Sequence, residues 1–329
     1  VIAPGEIAML IILNDVVKRV SCCKRQTAYT WWVDNNAIGY PSKNITFPAY
    51  GFNLPTPYGI NNIVSGTGND LVKILSGTYA EKNLAPTPFT QTLELDTNAF
   101  YEYSDSVDGG YFDDSANGAG GAISINVFGK KIQHDKNMYM PKPNFAMGDT
   151  GLAGTNNFLR IEEASFANFK NLYIQHLNNS NAIYLNNASA RAEFNDCVII
   201  GGLTGSTYPI INMINGELRL KNCIIQMSIN AIELINISGG KLYLESCVIV
   251  NSTNNASAHG ISASGGKIVF IGTNRIITTH ASANSLYTAG AINVKKIGQL
   301  YTTHVDSGGF TDLITGAGLV IDATDADVE

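Results

Sequence analysis

The sequence predicts an all-β chain wound as a right-handed, single-stranded parallel β-helix. Three observations predict it. Cysteines recur in matching surroundings, "EFNDCVIIGG", "RLKNCIIQMS" and "YLESCVIVNS", with Cys197, Cys223 and Cys247 spaced by 26 and 24 residues. A Gly/Asn turn precedes an apolar strand at Asn215-Gly216-Glu217, Gly239-Gly240-Lys241 and Gly265-Gly266-Lys267, again at intervals of 24 and 26. The stretches between are short, β-branched and free of helical periodicity. A two-layer sandwich also yields short strands, but gives no reason to repeat side-chain identity at this interval. Coils stacked about 4.8 Å apart do, because equivalent positions share one environment.

Along the chain, residues 1–69 do not share the repeat and are expected to form an N-terminal cap or attachment segment. A β-helix must close its open end, which otherwise offers unpaired strand edges. The apolar "IAMLIIL" (Ile7–Leu13) is too short to span a membrane and lacks the flanks of a signal peptide. Cys22 and Cys23 sit among Lys18, Arg19, Lys24 and Arg25, with nothing to make them catalytic.

Residues 70–329 are expected to be the helix itself. At this period residues 70–320 make on the order of ten coils. The repeat extends upstream to Leu172, 25 residues before Cys197, and downstream to Thr273, 26 after Cys247. A looser row places "NAIYL" (Asn181), "NAIEL" (Asn230), "HGISA" (His259) and "GAINV" (Gly290) in register, with insertions in one loop row. The cysteines read as an inward ladder of small apolar residues at a coil corner. In-register side chains about 4.8 Å apart exceed the Cβ separation that a disulfide prefers. Between about 96 and 158 the repeat is lost, which predicts a long excursion. The last segment, 305–329, has six acidic residues and no Lys or Arg, the pattern of a solvated tail.

Composition narrows the partners. Only 15% of residues are charged, against about 25% in ordinary soluble domains. A net charge of −6 opposes nucleic-acid binding, and no cofactor is expected.

"LVKILSGTYAE" (Leu71–Glu81) carries Ile74, Gly77, Tyr79 and Glu81 in an "Ile-x-x-Gly-x-Tyr-x-Glu" pattern. With the coils from about 168 to 277, this resembles the pectin-lyase-like superfamily, most like phage and viral tailspike or fibre proteins. The resemblance covers roughly half the chain and implies fold more than activity, because enzymes, adhesins and viral spikes share it. The enzymes it implies are polysaccharide lyases, glycosidases and pectin esterases. An esterase set of two Asp and an Arg is missing, since Asp196 stacks on Asn171, Asn222 and Ser246. For a lyase set, Arg160, Arg191, Arg219 and Arg275 stand isolated on different rows. For a hydrolase set, "AHGIS" offers His259 without paired carboxylates.

Candidates remain in the "YEYSDSVDGGYFDD" patch (residues 101–114). Asp113 and Asp114, with His259, are the catalytic candidates. Asp105, Asp108 and Asp113 are candidate metal ligands, next to Glu102, although no EF-hand spacing is present. Tyr101, Tyr103 and Tyr111 are candidate ligand-binding aromatics. Solvated loop charge is the simpler reading of the acidic cluster, and a turn residue the simpler reading of His259.

Strand alternation sends Tyr173, Val198, Ile224 and Val248 outward, followed two residues on by Gln175, Ile200, Gln226 and Val250. Such an apolar stripe asks to be covered. Tyr173, Val198, Ile224, Val248, Ile200 and Val250 are therefore the candidate interface of a homotrimer. The expectation is a virion or extracellular spike, tailspike or fibre subunit, held to other virion proteins by residues 1–69 and attached to a host surface polysaccharide. The alternatives are a polysaccharide-degrading enzyme with its site between subunits, and a surface adhesin or structural filament.

Overall fold

The computed structural model describes residues 92–95, 112–114, 122–130, 157–202, 207–228, 232–280, 282–288, 290 and 292–302 with their side chains. It gives further strands as backbone. The described chain is an all-β parallel solenoid of about five coils. The expected count of ten is thus too high. Dividing length by period assumes that every link between coils is short, whereas the stacked pair Ser124 and Phe166 is 42 residues apart.

Each coil carries three strands in order. The first row is Leu159–Ile161, Ile183–Leu185, Ile211–Met213, Ile235–Ile237, Ile261–Ala263 and Leu286–Thr288. The second is Phe166–Lys170, Arg191–Asn195, Glu217–Lys221 and Lys241–Glu245, and the third Tyr173–His176, Val198–Gly201, Ile224–Met227 and Val248–Asn251. In the next coil the second and third rows merge into one strand, Lys267–Thr278. All these pairings are parallel and in register.

Alternation along each strand sorts the core from the surface. Inward columns run Ile183, Ile211, Ile235, Ile261 in the first row and Ile174, Ile199, Ile225, Ile249, Ile276 in the third; all are buried. In the second row Phe169 and Phe194 stack with ring centroids 4.6 Å apart, nearly parallel. Below them Phe112 and Phe158 meet edge to face at 5.3 Å, filling the interior where aliphatic columns give way to rings.

Two corners repeat a left-handed residue. Between first and second rows stand Gly216, Gly240 and Gly266, with φ of 95°, 78° and 85°. A Cβ on Gly240 would lie 2.3 Å from the carbonyl oxygen of Gly216, so only glycine stacks there. Between second and third rows stand Asn171, Asp196, Asn222 and Ser246, with φ from 51° to 56°. Short polar side chains tolerate this conformation and bond across coils. Asn222 Nδ2 donates to Asp196 Oδ1 at 3.2 Å, and Asn171 Nδ2 to the Gly129 carbonyl at 3.2 Å.

The cysteine ladder follows this corner. Cys197, Cys223 and Cys247 are buried free thiols beside Leu172. Cys223 Sγ donates to the carbonyls of Lys221 and of Phe194 in the coil below, both at 3.2 Å; Cys247 Sγ reaches Leu220 O at 3.1 Å. The neighbouring Cys197 thiol and burial push the Cys223 thiol up, and Cys223 and burial do the same to Cys247. They are packing residues, not nucleophiles.

Two alignments need correction. Glu245 pairs with Ile271 but Val248 with Arg275, so one residue is inserted at Gly272–Thr273. Asn274, not Thr273, therefore takes the cysteine position: it is buried, accepts the Cys247 N–H at 2.9 Å and donates to Ile271 O at 2.8 Å. In the first row the partners of Ile183 are Ile211, Ile235, Ile261 and Leu286. The motifs at Asn230 and Gly290 do not belong to it; Ile292–Val294 stacks on the second row instead.

Residues 1–69 include an antiparallel pair, Ile7–Leu13 with Val16–Cys23. Apart from short strands, that segment and residues 303–329 lie outside the described residues. Within 96–158, Ser124–Gly129 and Phe145–Met147 join the stack in parallel.

Ser246 is the corner residue least suited to its conformation, having neither the amide of Asn nor the freedom of Gly. Ser246→Gly should raise the urea midpoint slightly, and Ser246→Val should lower stability by about 1–2 kcal/mol. Equal midpoints for the two variants would show that the corner is not strained.

Candidate functional site

The third corner joins the third row to the next first row, and here loop lengths vary. What fixes these loops is a column of inward polar residues at the ends of the third-row strands. His176 Nε2 lies 3.1 Å from both the carbonyl and the hydroxyl oxygen of Ser180. Two coils beyond Met227's partner Gly201, Asn251 Nδ2 donates to Ile232 O and His259 O, both at 2.9 Å. Thr278 Oγ1 donates to Ala283 O at 3.1 Å. Each buried polar group bonds the loop that follows it, and Asn251 also bonds the loop of the preceding coil, so the loops are tied down without strand pairing.

At the lower end of this corner is a groove of about 160 Å³. Its floor is first-row: Arg160 and, in register above it, Tyr184. Its walls come from the loops, with Asn179 and Asn181 on one coil and Tyr208 on the next. Amide bonds between coils hold the walls. Asn157 Nδ2 donates to Asn181 O at 2.8 Å, Asn181 Nδ2 to Pro209 O at 2.6 Å, and the Thr207 N–H to Asn179 Oδ1 at 3.3 Å. Arg160 lies 5.9 Å from the centroid of Tyr184 and pairs through Nη2 with Glu162 at 3.1 Å. Its Nε is buried without a hydrogen-bond partner among the described residues. Burial raises the Tyr184 hydroxyl, aided by Glu162 and opposed by Arg160, so the ring stays neutral.

The residues expected to act chemically are placed as follows. Asp113 and Asp114 are buried, with Asp113 in register below Arg160. The Asp114 carboxylate accepts the backbone N–H of Glu162 at 2.6 Å, that of Glu163 at 3.1 Å, and the Ser165 hydroxyl. It clamps the turn of the coil above. Burial raises its pKa, while Ser165 and the two amides hold it down. His259 stacks on Tyr287 at 4.6 Å and accepts the Asn284 N–H at Nδ1, 2.9 Å; burial lowers its pKa. It lies several coils from Asp113 and Asp114, so these three do not meet. Asp196 is a corner residue, and Arg191 and Arg219 both reach Glu217, at 3.3 and 2.7 Å. Among the described residues no three His, Cys, Asp or Glu side chains converge as a metal site. Tyr111, Asp105 and Asp108, and the side chains of Tyr101, Tyr103 and Glu102, lie outside the described residues.

The outward faces differ in chemistry. The second row is charged and paired: Lys221 meets Glu245 at 2.6 Å, and Arg219 lies over Tyr243 at 4.5 Å. The third row presents Tyr173, Val198, Ile224 and Val248 as one column, and Gln175, Ile200, Gln226 and Val250 as the next. Ile224 is 42% exposed and the others are half-buried, each shielded by its neighbours along the column.

Sequence reasoning missed the groove because its walls come from loops of unequal length, although Arg160 and Tyr184 of its floor are register partners. The one signal was the amide-rich "NNSN" at residues 178–181 in the loop row. Compared with known families, characterised proteins and solved structures, the chain has no match.

His176 gives a pH test. Burial lowers its pKa from 6.5 to about 4, against the Ser180 bond that raises it. The unfolded imidazole takes its proton near pH 6.5 and the folded one only near 4, so stability is full above 6.5 and falls as pH drops between those values. The loss should approach about 3 kcal/mol. His176→Asn, copying Asn251 at the equivalent place, should flatten that acid limb in urea melts at pH 7 and pH 4. An unchanged limb would assign it to other groups.

Proposed function

We propose that the chain is a structural subunit of a virion or extracellular spike or fibre, a homotrimer that attaches to a surface glycan. On this reading it is a right-handed, single-stranded parallel β-helix of pectin-lyase-like kind, with residues 1–69 joining it to other virion proteins. The strong preference of parallel crossovers for the right hand supports the handedness.

The observation that carries the reading is the uninterrupted apolar column Tyr173, Val198, Ile224 and Val248, flanked by Ile200 and Val250. A face built of stacked β-branched residues, next to a face of paired charges, is the surface of a partner-seeking solenoid. Three copies related by a threefold axis would cover it without leaving an open end to growth. The chemistry of the described residues also favours binding over turnover. Asp114 is consumed by a turn, and Arg160, Arg191 and Arg219 are engaged in ion pairs or stacking.

Light scattering of the full chain should give about three times its 35.3 kDa mass. Ile224→Asp combined with Val198→Asp should give the single-chain mass while the far-ultraviolet β signal is kept. A monodisperse monomer for the unaltered chain would sink the proposal, and a dimer would sink its threefold form.

A further inference from the structure

We propose that the groove between Arg160, Tyr184 and Tyr208 binds one uncharged sugar ring of a surface glycan and does not cleave it. This rests on the glycan-attachment reading and names its site.

The volume sets the size. About 160 Å³ is well below the roughly 300 Å³ at which drug-sized sites begin, so one ring fits and a chain of rings does not. The lining sets the class. Sugar rings offer a C–H face to aromatic side chains and hydroxyls to fixed donors and acceptors. Tyr184 and Tyr208 supply the rings, with Tyr208 43% exposed, and Asn157, Asn179, Asn181 and Ser180 supply the polar walls. Arg160 adds its guanidinium beside the Tyr184 ring, 5.9 Å from the ring centroid, as a further polar group of the lining.

Charge decides against an acidic sugar. Among the described residues Arg160 is the one ionised side chain lining the groove, but Glu162 holds its Nη2 and Asp113 stands buried in register beneath it. The cation is offset on two sides, so an anion gains little there. Among the described residues no carboxylate lines the groove, and glycoside cleavage by the usual route needs two, which favours binding over hydrolysis. The walls are pre-formed, because Asn157, Asn179 and Asn181 bond between coils and His176 holds Ser180. Such a site spends little ordering entropy on capture.

The test is saturation-transfer NMR on the full-length protein with methyl glycosides of glucose, galactose, mannose, N-acetylglucosamine and glucuronic acid, at low and high salt. At least one neutral glycoside should show transfer, with little salt dependence. Tyr208→Ala and Arg160→Met should each weaken it about tenfold or more. Tyr287→Ala, an exposed ring at the far end of the same outward column, should leave it unchanged. Binding of the glucuronide alone, falling with salt, would overturn the proposal. So would a neutral glycoside bound equally by wild type, Tyr208→Ala and Arg160→Met, an outcome that leaves glycan attachment standing at another site. Failure of the intact protein to bind any member of a broad glycan array would overturn the groove and the attachment reading together.

Discussion

In-register parallel pairing between coils is the constraint on which everything else here depends. Each strand residue bonds to the coil above and the coil below, so what stands at one position limits its neighbours roughly 4.8 Å away. A corner that needs a left-handed residue needs it in coil after coil, which is why Gly216, Gly240 and Gly266 align, and why Asn171, Asp196, Asn222 and Ser246 do. A column that accepts a flat ring accepts a second on top of it, as with Phe169 and Phe194. The thiols extend the same logic, each one giving its proton to a carbonyl of the coil beneath.

The stacking acts differently on charge and on apolar surface. Opposite charges meet at several register positions of the second row, Arg191 and Glu217 in one column and Lys221 and Glu245 in another, although Lys241 and Lys267 also stand in register. Apolar residues meet no such limit and accumulate, as in the third row from Tyr173 to Val248. Stacking thus produces one face on which charges are largely paired and one that gains by being covered.

The sequence discloses what the register repeats and hides what it does not. The cysteines and the glycine turns were legible because each sits at a fixed place in the coil, and the outward columns followed from them by alternation. Asn274 was misread as Thr273 because one inserted residue at Gly272 shifts the third row without disturbing the second. The first row was misaligned at Asn230 because the loops before it differ in length, so interval is no guide there. Arg160 and Tyr184 meet through first-row register, but Tyr208 joins them from a loop that shares no motif with its neighbours. Asp114 stood out as acidic, but nothing local announced that two amides and Ser165 would claim it.

The polar column at the third corner has a consequence for how such a chain can change. His176 answers to Ser180, Asn251 to His259, and Thr278 to Ala283, each pair enclosed in one loop and the strand end that precedes it. Strand end and loop therefore pack as a unit, joined to the loop beside it through bonds such as Asn251 to Ile232 O and the Thr207 N–H to Asn179 Oδ1. Exchange of one such unit alters the rim of the solenoid and these cross-bonds while leaving the columns beneath it in register. The molecule separates a fixed frame from a variable edge, and the proposed sugar groove lies on the edge.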